Sequence, residues 1–234
     1  MKQKLSGGRF RMINELLYKS ESSSAHELMR DDPSTFHDYH VGFRNQVQSW
    51  PTNPVDYFTQ SISSTHSAKS TVIVDLGCGD AALAKQLAKQ GFKVLSFDLV
   101  SDGEWVTEAD ICDKIPLPGK EETDSAQIVD VCVCALSLMS TNWLRCVREA
   151  RRILKMKGEF DIAEVTSRFP DINGFVALIS SVGFELVKKT EPSSHFTIFK
   201  FRKVPLPKPL TRKDWASLET RSKELLTPCE YKRR

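Results

Sequence analysis

The sequence predicts an α/β protein, with a doubly wound, mostly parallel seven-stranded sheet that ends in an antiparallel hairpin, plus an N-terminal helical subdomain. Three observations carry this expectation. From Thr71 onward, short apolar runs alternate with helical patterns, as in buried parallel strands linked by helices. The last two runs, ELVKKTE and HFTIFKFRKV, are joined by the short turn EPSS with no helix between them, so they pair antiparallel. Residues 1–70 show helix starts and stops and no strand pattern.

Taken in order, RFRMINELLYK (9–19) and SSAHELMRD (23–31) are helices separated by a serine run that can cap the second. The third helix (32–50) opens with Pro33 in its first turn and stops before Pro51. NPVDYFTQSIS (53–63) again begins with a polar residue and a proline, and SSTHSAKS (63–70) is a polar linker. The strand TVIVDLG, the helix ALAKQLAKQG and the strand KVLSFDLV follow, then WVTEAD and a loop rich in proline and charge, DKIPLPGKEETDSAQ. IVDVCVCALSLM is the fourth strand, NWLRCVREARRILK a helix, EFDIAEVTS the fifth strand and DINGFVALISSVG a helix before the hairpin. VPLPKPL (204–210) leads out of the core into an extended tail. The expected organisation is a helical cap (1–70), a nucleotide-binding core (71–204) and a basic C-terminal tail packed on or beside it (205–234).

Composition narrows the class. No apolar run is long enough to span a bilayer, and the opening MKQKLSGGRF lacks the apolar centre of a signal peptide. The six cysteines form no CxxC pair, and Cys132 and Cys134 alternate along a buried strand, so they read as small core residues in a reducing compartment. A soluble intracellular protein, monomeric and without membrane partners, is expected. The net charge of +3 is unevenly spread: residues 71–199 carry 14 basic against 19 acidic side chains, and residues 200–234 carry 11 against 4. A basic tail suits a polyanion such as nucleic acid or serves as a solubilising terminus.

The stretch VIVDLGCGDAALAKQL (72–87) is a strand, a tight glycine turn and a helix, the arrangement that holds a nucleotide. Gly77, Gly79 and Ala82 satisfy the dinucleotide fingerprint G-x-G-x-x-A, and Asp98 follows about 20 residues on, so a nicotinamide cofactor is the first reading. Asp80 argues against it. A carboxylate where the turn feeds the helix crowds a pyrophosphate but faces a cation comfortably. S-adenosylmethionine carries a sulfonium and an ammonium and no phosphate. Asp98 at the end of LSFD can accept both ribose hydroxyls, Asp110 in EADIC can take the adenine amine with Ile111 against the ring, and Ala135 offers backbone at the end of the fourth strand. Such ligands bind outside the carboxyl ends of the strands, where all four lie. The set favours a Rossmann-like class I methyltransferase over a dehydrogenase.

The acceptor is narrowed by elimination. The single Pro-Cys, Pro228-Cys229, lies in the tail and reads as an anchoring turn rather than a pyrimidine-C5 nucleophile. The fourth strand ends in LSLMSTN, not in the Asn/Asp-Pro-Pro-aromatic tetrad of exocyclic-amine methyltransferases. His37 and His40 lack a third ligand, so no metal is expected. What remains is an atom with a free lone pair, such as a ring nitrogen of a base, whose methylation requires positioning and no proton abstraction. Adenine N1 is one such atom among others.

The stretches SGGRFRMINELLY, FHDYHVGFRNQVQSWPTNPVD, VDLGCGD, SFDLV, ALSLMSTN, AEVTSRF, SSHFTIFKF and TPCEYKRR resemble the ribosomal-RNA-processing protein 8 family, called nucleomethylin in animals, over nearly the whole chain. The resemblance implies a nuclear, nucleolar enzyme acting in ribosome biogenesis, which uses S-adenosylmethionine to form 1-methyladenosine in large-subunit ribosomal RNA. It implies cofactor contacts from His40, Gly77, Asp98, Asp110, Ile111 and the position of Ala135. Animal members carry a long basic extension ahead of this region and are linked to a silencing complex on ribosomal gene chromatin. A cofactor-binding adaptor with little methyl transfer is therefore the alternative. His40 alone reads as a packing residue, and the resemblance moves it to the methionine end of the cofactor beneath the N-terminal helices. Glu164, Arg168 and His195 near strand ends are candidates to position the base and phosphate, or else structural ion pairs and caps. Phe36, Tyr39 and Phe43 can stack bases but, at helical spacing, are expected in the core.

Overall fold

A computed structural model of the chain describes residues 2–121, 123–229 and 231. Among them, four helices come first: α1 (Lys2–Lys19), α2 (Ser22–Asp31), α3 (Pro33–Val47) and α4 (Pro54–Thr65). Then follow β1 (Val72–Leu76), α5 (Ala82–Ala88), β2 (Lys93–Asp98), β3 (Val106–Glu108), β4 (Val129–Ala135), α6 (Leu144–Ile153), β5 (Leu154–Val165), α7 (Ile172–Ser181), β6 (Phe184–Ser193), β7 (Phe196–Lys203) and α8 (Arg212–Ser222). The strands form one sheet in the order β3-β2-β1-β4-β5-β7-β6. The pairs from β3 to β5 are parallel, and β7 is antiparallel to both β5 and β6. The order reverses beside β1, so the carboxyl ends of β1, β2 and β4 flank the crevice where such sheets bind ligands.

Each face of the sheet is buried, as the continuous apolar strands require. On one face Val74, Cys132, Phe160 and Phe201 pack against Leu144 and Val147 of α6, Phe175 and Leu178 of α7, and Trp215 of α8. On the other, Ile73, Val131, Val133 and Ile198 meet Phe58 and Ile62 of α4 and Leu83 and Leu87 of α5. Burying side chains of this size contributes about 1.5–3 kcal/mol apiece. Helices α1–α3 have a smaller core of their own, Phe10, Ile13, Leu17, Met29 and Tyr39, closed by Leu99, Met139 and Tyr231.

Four local expectations change. The serine run does not cap α2. Glu21 is the N-cap without a side-chain bond, and Ser22 instead turns its hydroxyl to Asp110. Helix α1 begins at Lys2, before the expected residue 9, and runs through Gly7 and Gly8. α6 stops at Ile153 and β5 starts at once with Leu154 in extended backbone; within the strand Lys157 takes a left-handed φ of 66° and the register slips between Val129 and Val131. The largest change is the tail, which is not extended after Leu210. Thr211 and Asp214 form a capping box, and Trp215 and Leu218 seat α8 on the core. Part of that expected tail, Glu230 and residues 232–234, lies outside the described residues.

Candidate functional site

The glycine turn after β1 is built for a close approach. Gly77 (φ 75°) and Gly79 (φ 56°) take left-handed backbone, with the Gly77 and Cys78 amides donating to the Phe97 carbonyl at 2.8 and 3.1 Å. A Cβ on Gly77 would collide with that of Ser137, and one on Gly79 would lie 3.1 Å from His40 Nε2. Two residues with side chains, Ala81 (φ 54°) and Leu136 (φ 62°), also adopt this strained region beside the same crevice.

These elements surround a cavity of about 440 Å³. Its floor is Asp75, the glycine turn and residues 135–137 at the end of β4, its flank is Asp98, Ala109 and Ile111, and its roof comes from α1–α4. Of the expected cofactor residues, His40, Gly77, Gly79, Asp98, Ile111 and Ala135 line it together. Asp98 accepts the Gly79 amide on Oδ2 and the Leu99 amide on Oδ1, both at 2.7 Å. Each carboxylate oxygen keeps a lone pair for a vicinal diol. His40 donates from Nδ1 to the Phe36 carbonyl at 2.9 Å, which leaves Nε2 as the acceptor that faces Gly79.

Asp110 differs from expectation. Its carboxylate is engaged by the Ser22 hydroxyl at 2.7 Å and the Cys112 amide at 2.8 Å, and it lies outside the cavity lining, where it ties α2 to the sheet. Asp80 does line the cavity, but Arg44 of α3 pairs with it, so its charge is compensated from within the chain. The candidates Glu164 and Arg168 take the structural alternative. They form a fully buried ion pair at 2.6 Å outside the lining. Arg168 also donates to the carbonyls of Leu138 and Thr227, and Glu164 accepts the Leu138 amide. With these groups satisfied, the pair holds the segment after β4. His195 sits exposed in the β6–β7 turn, where its carbonyl accepts the Thr166 amide, and it too is absent from the lining. Phe36 and Phe43, expected in the core, are half-buried at the cavity wall, whereas Tyr39 is buried.

One acid escaped the sequence reading. Asp75, at 3% exposure, lines the cavity with Oδ1 unpartnered, and burial together with the nearby Asp98 pushes its carboxyl up to about 7. The Ser137 hydroxyl beside it is likewise buried and unpartnered. Orphaned polar atoms in a protein interior are rare, and two on one cavity wall call for a polar ligand. The sequence signal was available: a charged residue inside the apolar run VIVDL is costly to bury without purpose. Asp98 offers lone pairs to a ribose diol, and Asp75 and Ser137 offer buried, unpartnered oxygens to a polar or cationic end. S-adenosylmethionine carries both features.

Similarity to known proteins agrees with the geometry. A family model described as "Hypothetical methyltransferase" matches residues 1–234. "Ribosomal RNA-processing protein 8" of Dictyostelium discoideum is 40% identical over 240 residues, covering all of this chain and 59% of that protein. "25S rRNA (adenine(645)-N(1))-methyltransferase" of Schizosaccharomyces pombe is 40% identical over 246 residues, covering all of this chain and 71% of that protein. The chain thus spans between about three fifths and seven tenths of these relatives. Among solved structures, a TehB-like SAM-dependent methyltransferase from Corynebacterium glutamicum superposes with a TM-score of 0.55 at 20% identity, over 74% of this chain and 100% of that one. At that identity the likeness establishes the fold.

Proposed function

Since the chain belongs to the ribosomal RNA-processing protein 8 family of methyltransferases and has their class I fold, we propose that it methylates N1 of an adenosine in large-subunit ribosomal RNA, with S-adenosylmethionine as the donor. The observation that carries the reading is the pair of uncompensated acids, Asp75 and Asp98, on a glycine-turn cavity at the switch point of the sheet.

When bound, S-adenosylmethionine supplies a methyl group on a sulfonium, whose C–S electron pair leaves with sulfur as the adenine N1 lone pair takes the carbon. The protein therefore needs no base to remove a proton, consistent with a cavity whose acids are placed for binding. Asp98 holds the ribose hydroxyls, and Asp75 and the His40 Nε2 lone pair face the ammonium end. Gly77 and Gly79 admit the ligand to the backbone. The roof brings apolar side chains over the site, so the charge of Asp98, and of Asp75 once it ionises, is little screened at a site that handles positive charge before and after transfer. Residues 1–70 act here as the lid of the cofactor site, residues 71–204 as its frame, and the basic segment 205–234 as an RNA contact.

The relatives named for ribosomal RNA processing support a role in ribosome biogenesis and hence a nucleolar location. Calorimetric titration tests the class first: S-adenosylmethionine binds, NAD does not, and Asp98→Ala abolishes binding. Transfer of labelled methyl to ribosomal RNA from cells lacking the protein, with 1-methyladenosine as product, tests the substrate. Binding without transfer to any RNA would leave an adaptor.

A further inference from the structure

The cavity has a second, uncharged wall. Asp98 and Ile111 flank it on the β2–β3 side of the sheet, whereas Trp50 and Asn53 join it from the segment between α3 and α4, which is docked on the opposite side. Trp50 packs edge-on against Phe196 of β7 at 4.8 Å, and the Thr52 hydroxyl donates to Ser193 at 3.0 Å in the hairpin turn. Phe43 meets Trp50 at 5.5 Å in a T-shaped contact. Both rings are half-buried, held from behind and open toward the cavity. Braced aromatic faces beside a reactive crevice suit a flat heterocycle.

Asn53 supplies the polar element. It is the N-cap of α4: its Oδ1 accepts the Val55 amide at 3.0 Å, which establishes which terminal atom is the oxygen. Its Nδ2 makes no hydrogen bond to any described residue, and Oδ1 retains a second lone pair. The amide is thus oriented by a structural bond and presents one donor beside one acceptor at the cavity wall.

Resting on the reading of the previous subsection, we propose that this wall is the acceptor-base subsite, in which Trp50 stacks the adenine, Phe43 meets its edge and Asn53 reads its Hoogsteen edge. An asparagine amide matches adenine by donating to N7 and accepting from the N6 amine. With the base held on that edge, N1 on the opposite, Watson–Crick edge is uncontacted and free to face the methyl donor. The same amide rejects guanine, which sets O6 against Oδ1, and pyrimidines, which have no N7. The wall thereby selects both the base and the nitrogen that reacts.

The test uses the full chain and a fluorescein-labelled uridine decamer carrying one central adenosine, 7-deazaadenosine or guanosine, with affinity read by anisotropy without cofactor. The wild type binds the adenosine probe about tenfold more tightly than the 7-deaza probe, the loss of one hydrogen bond. Asn53→Asp caps α4 equally well and melts like the wild type, yet it loses the preference, because the donor to N7 is gone. Trp50→Ala weakens binding of all three probes about tenfold, and Trp50→Phe, which keeps the packing on Phe196, restores most of it. Equal binding of the adenosine and 7-deaza probes by the wild type, no binding of any probe, or discrimination retained in Asn53→Asp would each overturn the proposal. Cofactor titration separates the two ideas: a chain that binds and transfers methyl but ignores the 7-deaza change refutes the subsite alone. Discrimination by a chain that binds no S-adenosylmethionine refutes the enzymatic reading and leaves Asn53 as a base reader.

Discussion

The Arg168 guanidinium grips the Glu164 carboxylate at 2.6 Å with 2% and 0% of the two side chains exposed, and the same guanidinium stacks over the Tyr18 ring at 4.6 Å. One cation thereby joins β5, the loop after β4, helix α1 and, through the Thr227 carbonyl, the C-terminal segment. The pair is a fastener between the roof and the frame of the cavity. Arg168→Met strands a buried carboxylate and costs about 3–5 kcal/mol of unfolding free energy in a urea titration. Double replacement with Glu164→Leu recovers a large part of that loss in the same titration.

The raised pKa of Asp75 gives the fold a pH signature. A carboxyl that ionises at about 7 in the folded chain and near its ordinary 3.8 when unfolded favours folding fully below pH ~4 and loses that contribution as pH climbs through 7. Asp75→Asn therefore gains on the wild type across that window, by on the order of 3 kcal/mol between pH 4 and pH 8. Ligand binding moves oppositely: cation affinity of the wild type increases from pH 6 to pH 8, and that of the variant is weaker and flat. Urea unfolding and calorimetry at the two ends of the range check both halves.

Gly77→Ala meets two obstacles at once, a left-handed backbone and the Ser137 Cβ. We expect a loss of about 2 kcal/mol or more in stability and no measurable S-adenosylmethionine binding. A variant that retains wild-type affinity would show that the turn does not lie against the ligand.

Arg44 and Asp80 are each close to half exposed, 47% and 42%, so their pairing contributes at most about 1 kcal/mol to folding. The pair nevertheless bridges α3 and the glycine turn across the cavity. Arg44→Ala leaves urea unfolding within that margin, whereas S-adenosylmethionine dissociates several-fold faster in stopped-flow displacement. An unchanged dissociation rate would remove the strut from the account.

The alternation of apolar runs and helical patterns from Thr71 onward revealed the sheet and its antiparallel end, because buried parallel strands leave no other pattern. Helix α8 went unseen, although Thr211 and Asp214 at capping-box spacing, followed by Trp215 and Leu218, spell an amphipathic start. The prolines of VPLPKPL drew the reading toward an extended chain. Asp98 was legible from its place at a strand end. What was not legible is partnership across the fold: Ser22 and Asp110 stand 88 positions apart, and nothing local says that a hydroxyl from α2 occupies that carboxylate. Arg44 likewise lies 36 positions from the Asp80 it neutralises.

Asn14 of α1 donates to the Cys229 carbonyl at 2.8 Å across 215 positions, and Phe10 packs on Tyr231 at 5.1 Å. During synthesis, α1 therefore leaves the ribosome long before the segment that pins it. The Rossmann-like frame can assemble while the roof stays loose, and the last contacts made are those that close the cavity. At a typical elongation rate of about 5–20 residues per second, that interval lasts roughly 10–40 s. A nascent chain is thus a folded scaffold without a finished binding site, and premature termination just ahead of residue 227 yields a protein that is compact yet unable to retain its ligand.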